Sequence, residues 1–226
     1  MQTLLDLATY RARLTKACDT LGLHASDTQI QQLQHYIEQL NRWNKSYNLT
    51  AIRDPEQMLT QHIFDCLAIV TPIKNAIEST KDSGATLLDV GSGAGLPGIV
   101  LAIMLPAVQV TCIDAVEKKM AFVRQMKGVL GLPNLTALHA RIETLADQYD
   151  MVVSRAFASL SDFAKSSGDR VLPRGKLVAM KARPAEQEFS ELTSTTTWSV
   201  DKIEALHVPE LQAQRCLVWL HRSENP

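Results

Sequence analysis

The sequence lacks closely spaced cysteines. Its four cysteines, Cys18, Cys66, Cys112 and Cys216, lie far apart and form no Cys-x-x-Cys pair. Neither a zinc site nor a dithiol redox motif is therefore indicated. We expect the four thiols to be reduced and mostly buried.

Long apolar runs are also absent. No stretch of about 18 apolar residues is present, and the first residues, MQTLLDLATYRARLTKA, lack the pattern of a secretory signal. With 226 residues, 46% hydrophobic and 21% charged, the chain has the composition of an ordinary globular protein with a substantial core. We expect a cytoplasmic protein with no membrane partner.

The chain as a whole has no excess of one charge sign. Lys and Arg total 23 against 24 Asp and Glu, so the net charge does not indicate a nucleic-acid partner. Between residues 165 and 183, however, six basic residues accompany one acid: Lys165, Arg170, Arg174, Lys176, Lys181 and Arg183. Charge alone leaves open whether these residues bind a partner or form a solvated face.

The composition changes near the segment KDSGA at residues 81–85. Before it, Ser26 and Gln29 have the spacing of a capping box, and Asp54 followed by Pro55 is typical of a helix start. We predict an N-terminal helical part, residues 1–82, and a second domain, residues 83–226.

After this change, strand patterns alternate with helix-length segments. The strand candidates are TLLDV, VQVTCID, LTALHA, YDMVVS, GKLVAM, WSVDKIEAL and CLVWL, and the segment IETLAD separates the third from the fourth. Such alternation predicts an α/β fold with a parallel sheet covered on both faces. Ligands of such sheets bind outside the carboxyl ends of the strands, so the residues that end successive strands should share one crevice.

A glycine-rich loop follows the first strand, in the segment LLDVGSGAGLPGIVLAI at residues 87–103. Gly93-x-Gly95-x-x-Gly98 matches the dinucleotide fingerprint, with Asp114 about 20 residues further on, which makes an NAD-dependent oxidoreductase one candidate. The pattern starts only after Asp89-Val90-Gly91-Ser92, however, whereas the dinucleotide fingerprint normally follows its strand directly. Asp89 also places a carboxylate where a pyrophosphate needs neutral or positive surroundings. A ligand with a cationic end suits the loop better.

S-adenosyl-L-methionine is such a ligand, since it carries an ammonium and a sulfonium. The glycines would let the backbone approach its methionine part, Asp89 would set the field for the ammonium, and Asp114 would bind the two ribose hydroxyls. Ile142 and Glu143 would border the adenine. The structural alternative is a glycine turn needed only for close packing of helix and strand.

Motifs that activate particular methyl acceptors are missing. The sequence has no Pro-Cys pair for carbon methylation, and Ser154-Arg155-Ala156-Phe157 stands where an Asn/Asp-Pro-Pro-Tyr/Phe tetrapeptide would follow the fourth strand. An acceptor with an in-plane lone pair, such as purine N7, needs no general base. Positioning can then supply most of the acceleration.

Four sequence blocks resemble the signature of the RsmG (GidB) family. They are RWNKxYNLTxxRD at residues 42–54, HIxD at 62–65, DVGSGxGLPG at 89–98 and SRAFASL at 154–160. The resemblance implies a Rossmann-like class I S-adenosylmethionine-dependent methyltransferase sheet with an N-terminal helical extension. It also implies methylation of guanine N7 at position 527, in the 530 loop of bacterial 16S rRNA.

The resemblance extends the set of expected cofactor residues. It implies that Gly91 and Leu96 line the methionine end and that Arg155 belongs to the cofactor site. The full expected set is Asp89, Gly91, Gly93, Gly95, Leu96, Asp114, Ile142, Glu143 and Arg155. Arg155 is also the predicted catalytic residue, because an arginine at the end of this strand has little structural reason to be there.

Several motif residues also have a structural interpretation. We expect Trp43 to pack in the core, and Asn48 can simply cap or turn the chain. His62 is either a core histidine or a site residue, and Phe157 either packs under the sheet or stacks on a flipped guanine.

The expected partner is 16S rRNA within the 30S subunit, with the target nucleotide unstacked or presented by the particle. Contacts to the RNA backbone are predicted for Arg42, Lys45, Arg53, Lys165, Arg170, Arg174, Lys181 and Arg183. We expect a monomer without a metal. A non-catalytic 30S-binding assembly factor with a degenerate cofactor fold is the alternative from another class.

Overall fold

The computed structural model describes residues 7–79, 84–155, 157 and 159–223. Its N-terminal part is helical: α1 (Leu7–Thr20), α2 (Asp27–Tyr47), α3 (Pro55–Met58), a π-helical segment (Leu59–Phe64), α4 (Asp65–Leu67) and α5 (Val70–Glu78). The predicted boundary between residues 82 and 83 lies outside the described residues, so the division into two domains stays a prediction.

Two helix starts that the sequence predicts are confirmed. The Ser26 hydroxyl accepts from the Gln29 amide at 3.2 Å, and the Ser26 amide donates to the Gln29 side chain at 2.9 Å, which completes the capping box of α2. The Asp54 carboxylate accepts from the Glu56 amide at 2.9 Å, with Pro55 at the first position of α3.

Within the described residues, seven strands form one sheet. They are β1 (Thr86–Val90), β2 (Gln109–Asp114), β3 (Leu135–His139), β4 (Tyr149–Ser154), β5 (Val171–Lys181), β6 (Trp198–Leu206) and β7 (Arg215–Arg222). Their spatial order is β3-β2-β1-β4-β5-β7-β6, and β7 runs antiparallel to both its neighbours. The helices between the strands are α6 (Gly98–Met104), α7 (Glu117–Val129), α8 (Leu160–Ser167) and α9 (Glu186–Thr195). The predicted α/β fold is confirmed.

The crossover between β3 and β4 differs from the expected helix-length segment. Of IETLAD, only Ile142–Thr144 forms a single 3₁₀ turn, and residues 145–148 are irregular. The chain must return from the carboxyl end of β3 to the amino end of β4 within nine residues, 140–148. A helix rises only about 1.5 Å per residue, whereas extended chain covers about 3.3 Å, so the short connection cannot stay helical.

Each face of the sheet carries its own apolar core. Leu87 of β1 packs on the face covered by α6, α7 and the N-terminal helices, and Leu88 packs on the opposite face with α8. The four cysteines are buried free thiols, as predicted. No helix in the described part of the chain is both long and apolar enough to cross a membrane.

Helix α2 lies on one face of the sheet and runs from the amino ends of the parallel strands to their carboxyl ends. Near its start, the Gln29 side chain donates to the Ile103 carbonyl at 2.9 Å, at the end of α6. Two turns later, the Tyr36 hydroxyl donates to the Ala94 carbonyl in the glycine loop at 2.8 Å. The last turns of α2 therefore lie beside the carboxyl ends of the parallel strands.

Candidate functional site

A cleft of about 240 Å³ lies at the carboxyl edge of the sheet, where β1, β2 and β3 end. Four residues of the expected cofactor set line it together: Gly91, Asp114, Ile142 and Glu143. The other lining residues are Val90, Ile113, Ala115, Ala140, Arg141 and Phe157. The structure thus brings together residues at the ends of four strands, β1 to β4.

The glycine loop is left-handed at three positions. The angle φ is 66° at Gly91, 59° at Gly93 and 89° at Gly95, a region that side chains with a Cβ rarely adopt. At Gly95 a Cβ atom would also lie 2.5 Å from Ile99 Cδ1. Gly91 therefore presents bare backbone to the cleft, while Gly93 and Gly95 form the turn behind it.

Asp114 ends β2 and faces both the loop and the cleft. One carboxylate oxygen accepts from the Gly93 amide at 3.0 Å, and the other accepts from the Val116 amide at 2.9 Å. The Lys119 ammonium lies 3.5 Å away. A carboxylate oxygen has two lone pairs, so Oδ1, which accepts from Val116 alone, can also accept from a hydroxyl in the cleft, whereas Oδ2 already accepts from Gly93 and Lys119.

Asp89 lies beneath the loop rather than in the cleft lining. Its side chain points to the face of the sheet that α6 covers, is fully buried, and accepts from the Gly98 amide at 2.7 Å through Oδ2. Burial raises the pKa of Asp89 to about 7, against the opposing effects of that hydrogen bond and of Arg155. Its Oδ1 atom has no hydrogen-bond partner among the described residues.

Leu96 is also buried, at 3% exposure, and packs in the core below the loop. Of the expected cofactor residues, Asp89, Gly93, Gly95 and Leu96 therefore shape the loop, whereas Gly91, Asp114, Ile142 and Glu143 line the cleft. These residues fit S-adenosyl-L-methionine: Gly91 offers bare backbone, the Asp114 carboxylate would accept from the ribose hydroxyls, Ile142 and Glu143 would form an apolar and acidic edge for the adenine, and a buried Asp89 oxygen without a partner among the described residues lies beneath the loop.

Arg155 follows β4 and turns toward the N-terminal helices. Its Nη1 donates to the Gln61 carbonyl and to His62 Nδ1, each at 3.2 Å, and lies 3.6 Å from the Asp65 carboxylate. Asp65 is buried and also accepts from Arg215 Nε at 3.0 Å. The guanidinium of Arg155 is therefore fixed at one end, next to the glycine loop but outside the cleft lining.

His62 contacts three groups through its two ring nitrogens: Nδ1 lies 3.2 Å from Arg155 Nη1 and 3.2 Å from the Gln61 carbonyl, and Nε2 lies 2.8 Å from the Thr50 hydroxyl. Because arginine only donates, we assign Nδ1 as the acceptor and Nε2 as the donor to Thr50. Burial, and next the charge of Arg155, lower the pKa of His62 to about 4. The imidazole is thus buried and neutral, in contact with the predicted catalytic arginine.

The motif block at residues 42–54 forms the last turns of α2 and the loop that follows it. The Trp43 ring packs against Phe122 of α7 at 5.4 Å between centroids, as the core interpretation predicts. The Asn44 side chain accepts from the Thr50 amide at 2.8 Å and donates to the Ile52 carbonyl at 3.0 Å. Asn48 caps the helix with φ of 49°. The block therefore folds the loop of residues 48–53 against α2.

Phe157 packs as its structural interpretation predicts, whereas stacking on a guanine stays a prediction. Its ring packs on Phe163 of α8 at 5.0 Å between centroids, and it also lines the cleft. Its chain neighbours Ala156 and Ala158 lie outside the described residues.

The predicted basic stretch does not form one surface. Lys165 lies in the last turn of α8, Arg170 ends the 3₁₀ turn before β5, and Arg174 lies near the start of β5, all at the amino edge of the sheet. Lys181 and Arg183 lie at or beyond the other end of β5. About seven strand residues, or roughly 23 Å, separate the two groups. The three exposed basic residues Arg42, Lys45 and Arg53 lie with the second group at the carboxyl edge.

Sequence reasoning missed two residues around Arg155. Arg215 starts β7, outside the four motif blocks, and no local pattern distinguishes it. Thr50 belongs to a block, but its bond to His62 spans 12 residues and depends on how the loop folds.

Comparison with known proteins gives a consistent result. Residues 29–218 match the model of the GidB family, described as rRNA small subunit methyltransferase G. The chain is 57% identical over 216 residues to ribosomal RNA small subunit methyltransferase G of Bordetella pertussis, covering 94% of both chains. It is 48% identical over 212 residues to the protein of that name in Acidovorax sp. strain JS42, covering 92% of this chain and 93% of the relative.

Solved structures agree on the fold. A SAM-dependent methyltransferase from Aquifex aeolicus superposes with a TM-score of 0.53 at 19% identity, covering 74% of this chain and 97% of the other. Magnesium protoporphyrin IX methyltransferase from Synechocystis, solved with bound SAM, gives a TM-score of 0.55 at 14% identity, covering 88% and 99%. The predicted Rossmann-like methyltransferase sheet is confirmed.

Proposed function

Since the chain belongs to the GidB family, the rRNA small subunit methyltransferases G, we propose that it transfers the methyl group of S-adenosyl-L-methionine to N7 of a guanosine in 16S rRNA. The target is the guanosine at position 527, in the 530 loop. One observation supports this most strongly: within the span that matches the family, the glycine loop and Asp114 form a cofactor cleft beside the fixed guanidinium of Arg155. The oxidoreductase alternative is wrong, because the family is one of methyltransferases.

The cofactor supplies an electrophilic methyl group on a sulfonium. The lone pair of N7 forms the new bond to carbon, and the electrons of the broken carbon–sulfur bond stay on sulfur. One positive charge moves with the methyl group, and no proton is released. A general base is therefore unnecessary, and the protein can act mainly by positioning the two reactants.

The side chains around Arg155 agree with such a mechanism. Both nitrogens of His62 are already engaged, Nδ1 by Arg155 and Nε2 by Thr50, so His62 is not placed as a base. We infer that His62 and Asp65 orient Arg155, and that the donors of Arg155 without a partner among the described residues act on the reacting groups. Asp114 and Glu143 hold the adenosine part of the cofactor in this proposal, with Gly91 against the methionine part.

RNA is the substrate, and we propose that the enzyme acts on 16S rRNA assembled in the 30S subunit. The net charge of −1 gives no general attraction for RNA, so presentation by a folded particle favours binding. At the carboxyl edge of the sheet lie the basic residues Arg42, Lys45, Arg53 and Arg183, together with Lys181, whose ammonium is paired with Glu188. Lys165, Arg170 and Arg174 lie at the opposite edge, so we do not retain them. The proposal includes a cytoplasmic monomer that needs no metal.

The test is methylation of 30S subunits that lack the modification. Incubation with the protein and S-adenosyl-L-methionine should produce 7-methylguanosine in 16S rRNA, measured by mass spectrometry of nucleosides. If the protein binds 30S subunits but forms no 7-methylguanosine, the non-catalytic assembly factor replaces our proposal.

A further inference from the structure

A second cavity, of about 260 Å³, lies at the C-terminal end of α2. Its lining residues are Asn41, Asn44, Lys45, Asn48 and Arg53. The first four are spaced i, i+3, i+4 and i+7, so they lie on one face of the last helical turns. We call this the amide-cation cavity.

The lining has positive charge and no negative charge. No carboxylate is among the lining residues, and neither Lys45 nor Arg53 has an ion pair with any described residue. Two cations without an ion pair among the described residues, beside amide side chains that each retain at least one N–H for a ligand, form a surface that suits an anion.

The donors are held in place before any ligand binds. The Asn44 amide is fixed by its two hydrogen bonds to the backbone of Thr50 and Ile52. The Asn48 side chain accepts from Arg53 Nη2 at 3.2 Å, which orients the guanidinium and leaves its other donors available. Such preorganisation reduces the entropy lost on binding.

The amide-cation cavity is connected to the predicted catalytic residue. Asn44 holds the Thr50 amide, the Thr50 hydroxyl accepts from His62, and His62 accepts from Arg155. The Tyr36 hydroxyl, on the same helix, also contacts the glycine loop. A group bound in this cavity is therefore linked to Arg155 through Asn44, Thr50 and His62.

We propose that the amide-cation cavity binds a backbone phosphate of the RNA, next to the guanosine that is methylated. This inference rests on the proposed function and names the contact that positions the substrate. Because the chain has no net positive charge, affinity for RNA must come from local cations of this kind. An unstacked nucleotide also needs its flanking backbone held, and phosphate contacts provide such positioning without reading sequence.

Two charge-removing variants test the proposal, Lys45→Gln and Arg53→Gln. Each should raise the KM for 30S subunits about tenfold, the value of one charge-assisted contact, and should leave kcat within about twofold. Each should also lower the slope of log affinity against log salt concentration by about 1. The affinity for S-adenosylhomocysteine, measured by calorimetry, should stay unchanged.

The matched control is Lys127→Gln. Lys127 is exposed in the last turn of α7, at the amino edge of the sheet, and has no ion pair with a described residue. Its loss removes the same charge far from the cavity, so KM and salt slope should stay at the wild-type values. Arg53→Lys keeps the charge and should restore the salt slope, while an unchanged melting temperature shows that each variant is folded.

The outcomes separate the two proposals. If the wild type forms 7-methylguanosine but Lys45→Gln and Arg53→Gln leave KM and salt slope unchanged, the phosphate site is overturned and the function stands. If the wild type forms none, the function itself fails. For Lys45→Gln and Arg53→Gln, affinity for protein-free 16S rRNA, measured by filter binding, should fall by the same factor as affinity for 30S subunits. A loss of affinity confined to 30S subunits would mean that a ribosomal protein occupies the cavity, which would contradict the proposal.

Discussion

Arg155 is held by groups from distant parts of the chain. Gln61, His62 and Asp65 come from the N-terminal helices, and Arg215 binds the same Asp65 from the start of β7. The sequence predicted Arg155 from its place after the fourth strand, and left His62 open. It could not predict Arg215, since the contact to Asp65 spans 150 residues and depends on the strand order.

At Asp114, the account predicts a loss of cofactor affinity on neutralisation. Asp114→Asn keeps one acceptor for the Gly93 amide but removes the charge-assisted bonds expected to the ribose. The Kd for S-adenosylhomocysteine should rise about 10- to 100-fold, measured by calorimetry. Asp19→Asn, an exposed site at the end of α1, is the control. An unchanged Kd for Asp114→Asn would refute the ribose assignment.

At His62, the account predicts a pH-dependent contribution to stability. The folded-state pKa is lowered to about 4, below the unfolded value of about 6.5. The unfolded chain therefore binds more protons between these values, so this contribution is complete above about pH 6.5 and is lost as pH falls toward about 4. The free-energy difference between wild type and His62→Gln should shrink by up to about 3 kcal/mol over that window.

Urea unfolding at several pH values between these limits measures the difference. His24→Gln, at an exposed histidine, is the control. A difference between wild type and His62→Gln that stays constant with pH would show that burial and Arg155 do not hold His62 neutral in the folded state.

At the scale of elements, local pattern predicted helices and strands wherever caps and periodicity agreed. The Ser26 capping box and β6 (Trp198–Leu206) are examples. The pattern failed where the surrounding fold determines the backbone conformation, since IETLAD has to extend to reach β4. The helix that starts at Pro55 continues as a wider, π-helical segment at Leu59–Phe64. That segment carries His62, and such wide turns are frequent at functional sites.

Two glycine substitutions test the loop and helix conformations as a matched pair. Gly95→Ala adds a Cβ at φ of 89° and 2.5 Å from Ile99, so it should lower the melting temperature by about 4–8 °C. Gly128→Ala lies inside α7 with open space around it, so it should raise the melting temperature by about 1–4 °C. Thermal unfolding measures both. Equal effects would contradict the strained loop that Gly95 permits.

For the whole molecule, sequence proximity and spatial proximity diverge. Lys165 to Arg183 are neighbours in the sequence, but β5 carries the chain across the sheet and separates them by its length. Arg42, Lys45 and Arg53 are far from this stretch in the sequence, yet share the carboxyl edge with Lys181. The cleft was predictable because parallel strands all have their carboxyl ends on the same side of a sheet. The strand order and the position of α2 were not predictable, because they depend on tertiary packing that no local sequence pattern encodes.

The N-terminal helices and the sheet share one apolar core. Leu33 and Ile37 of α2 belong to the same buried cluster as Val100 of α6 and Leu87 of β1. This packing places the amide-cation cavity and His62 beside Arg155. The N-terminal helices thus contribute residues that contact Arg155 directly, namely Gln61, His62 and Asp65.

One measurement tests the account most directly: a single turnover with S-adenosyl-L-methionine carrying a deuterated methyl group and 30S subunits that lack the modification, followed by mass spectrometry of the 16S rRNA. The account predicts that the labelled methyl group is found on N7 of one guanosine in the 530 loop. Label found on another atom of the RNA, or no label in the RNA at all, would contradict it.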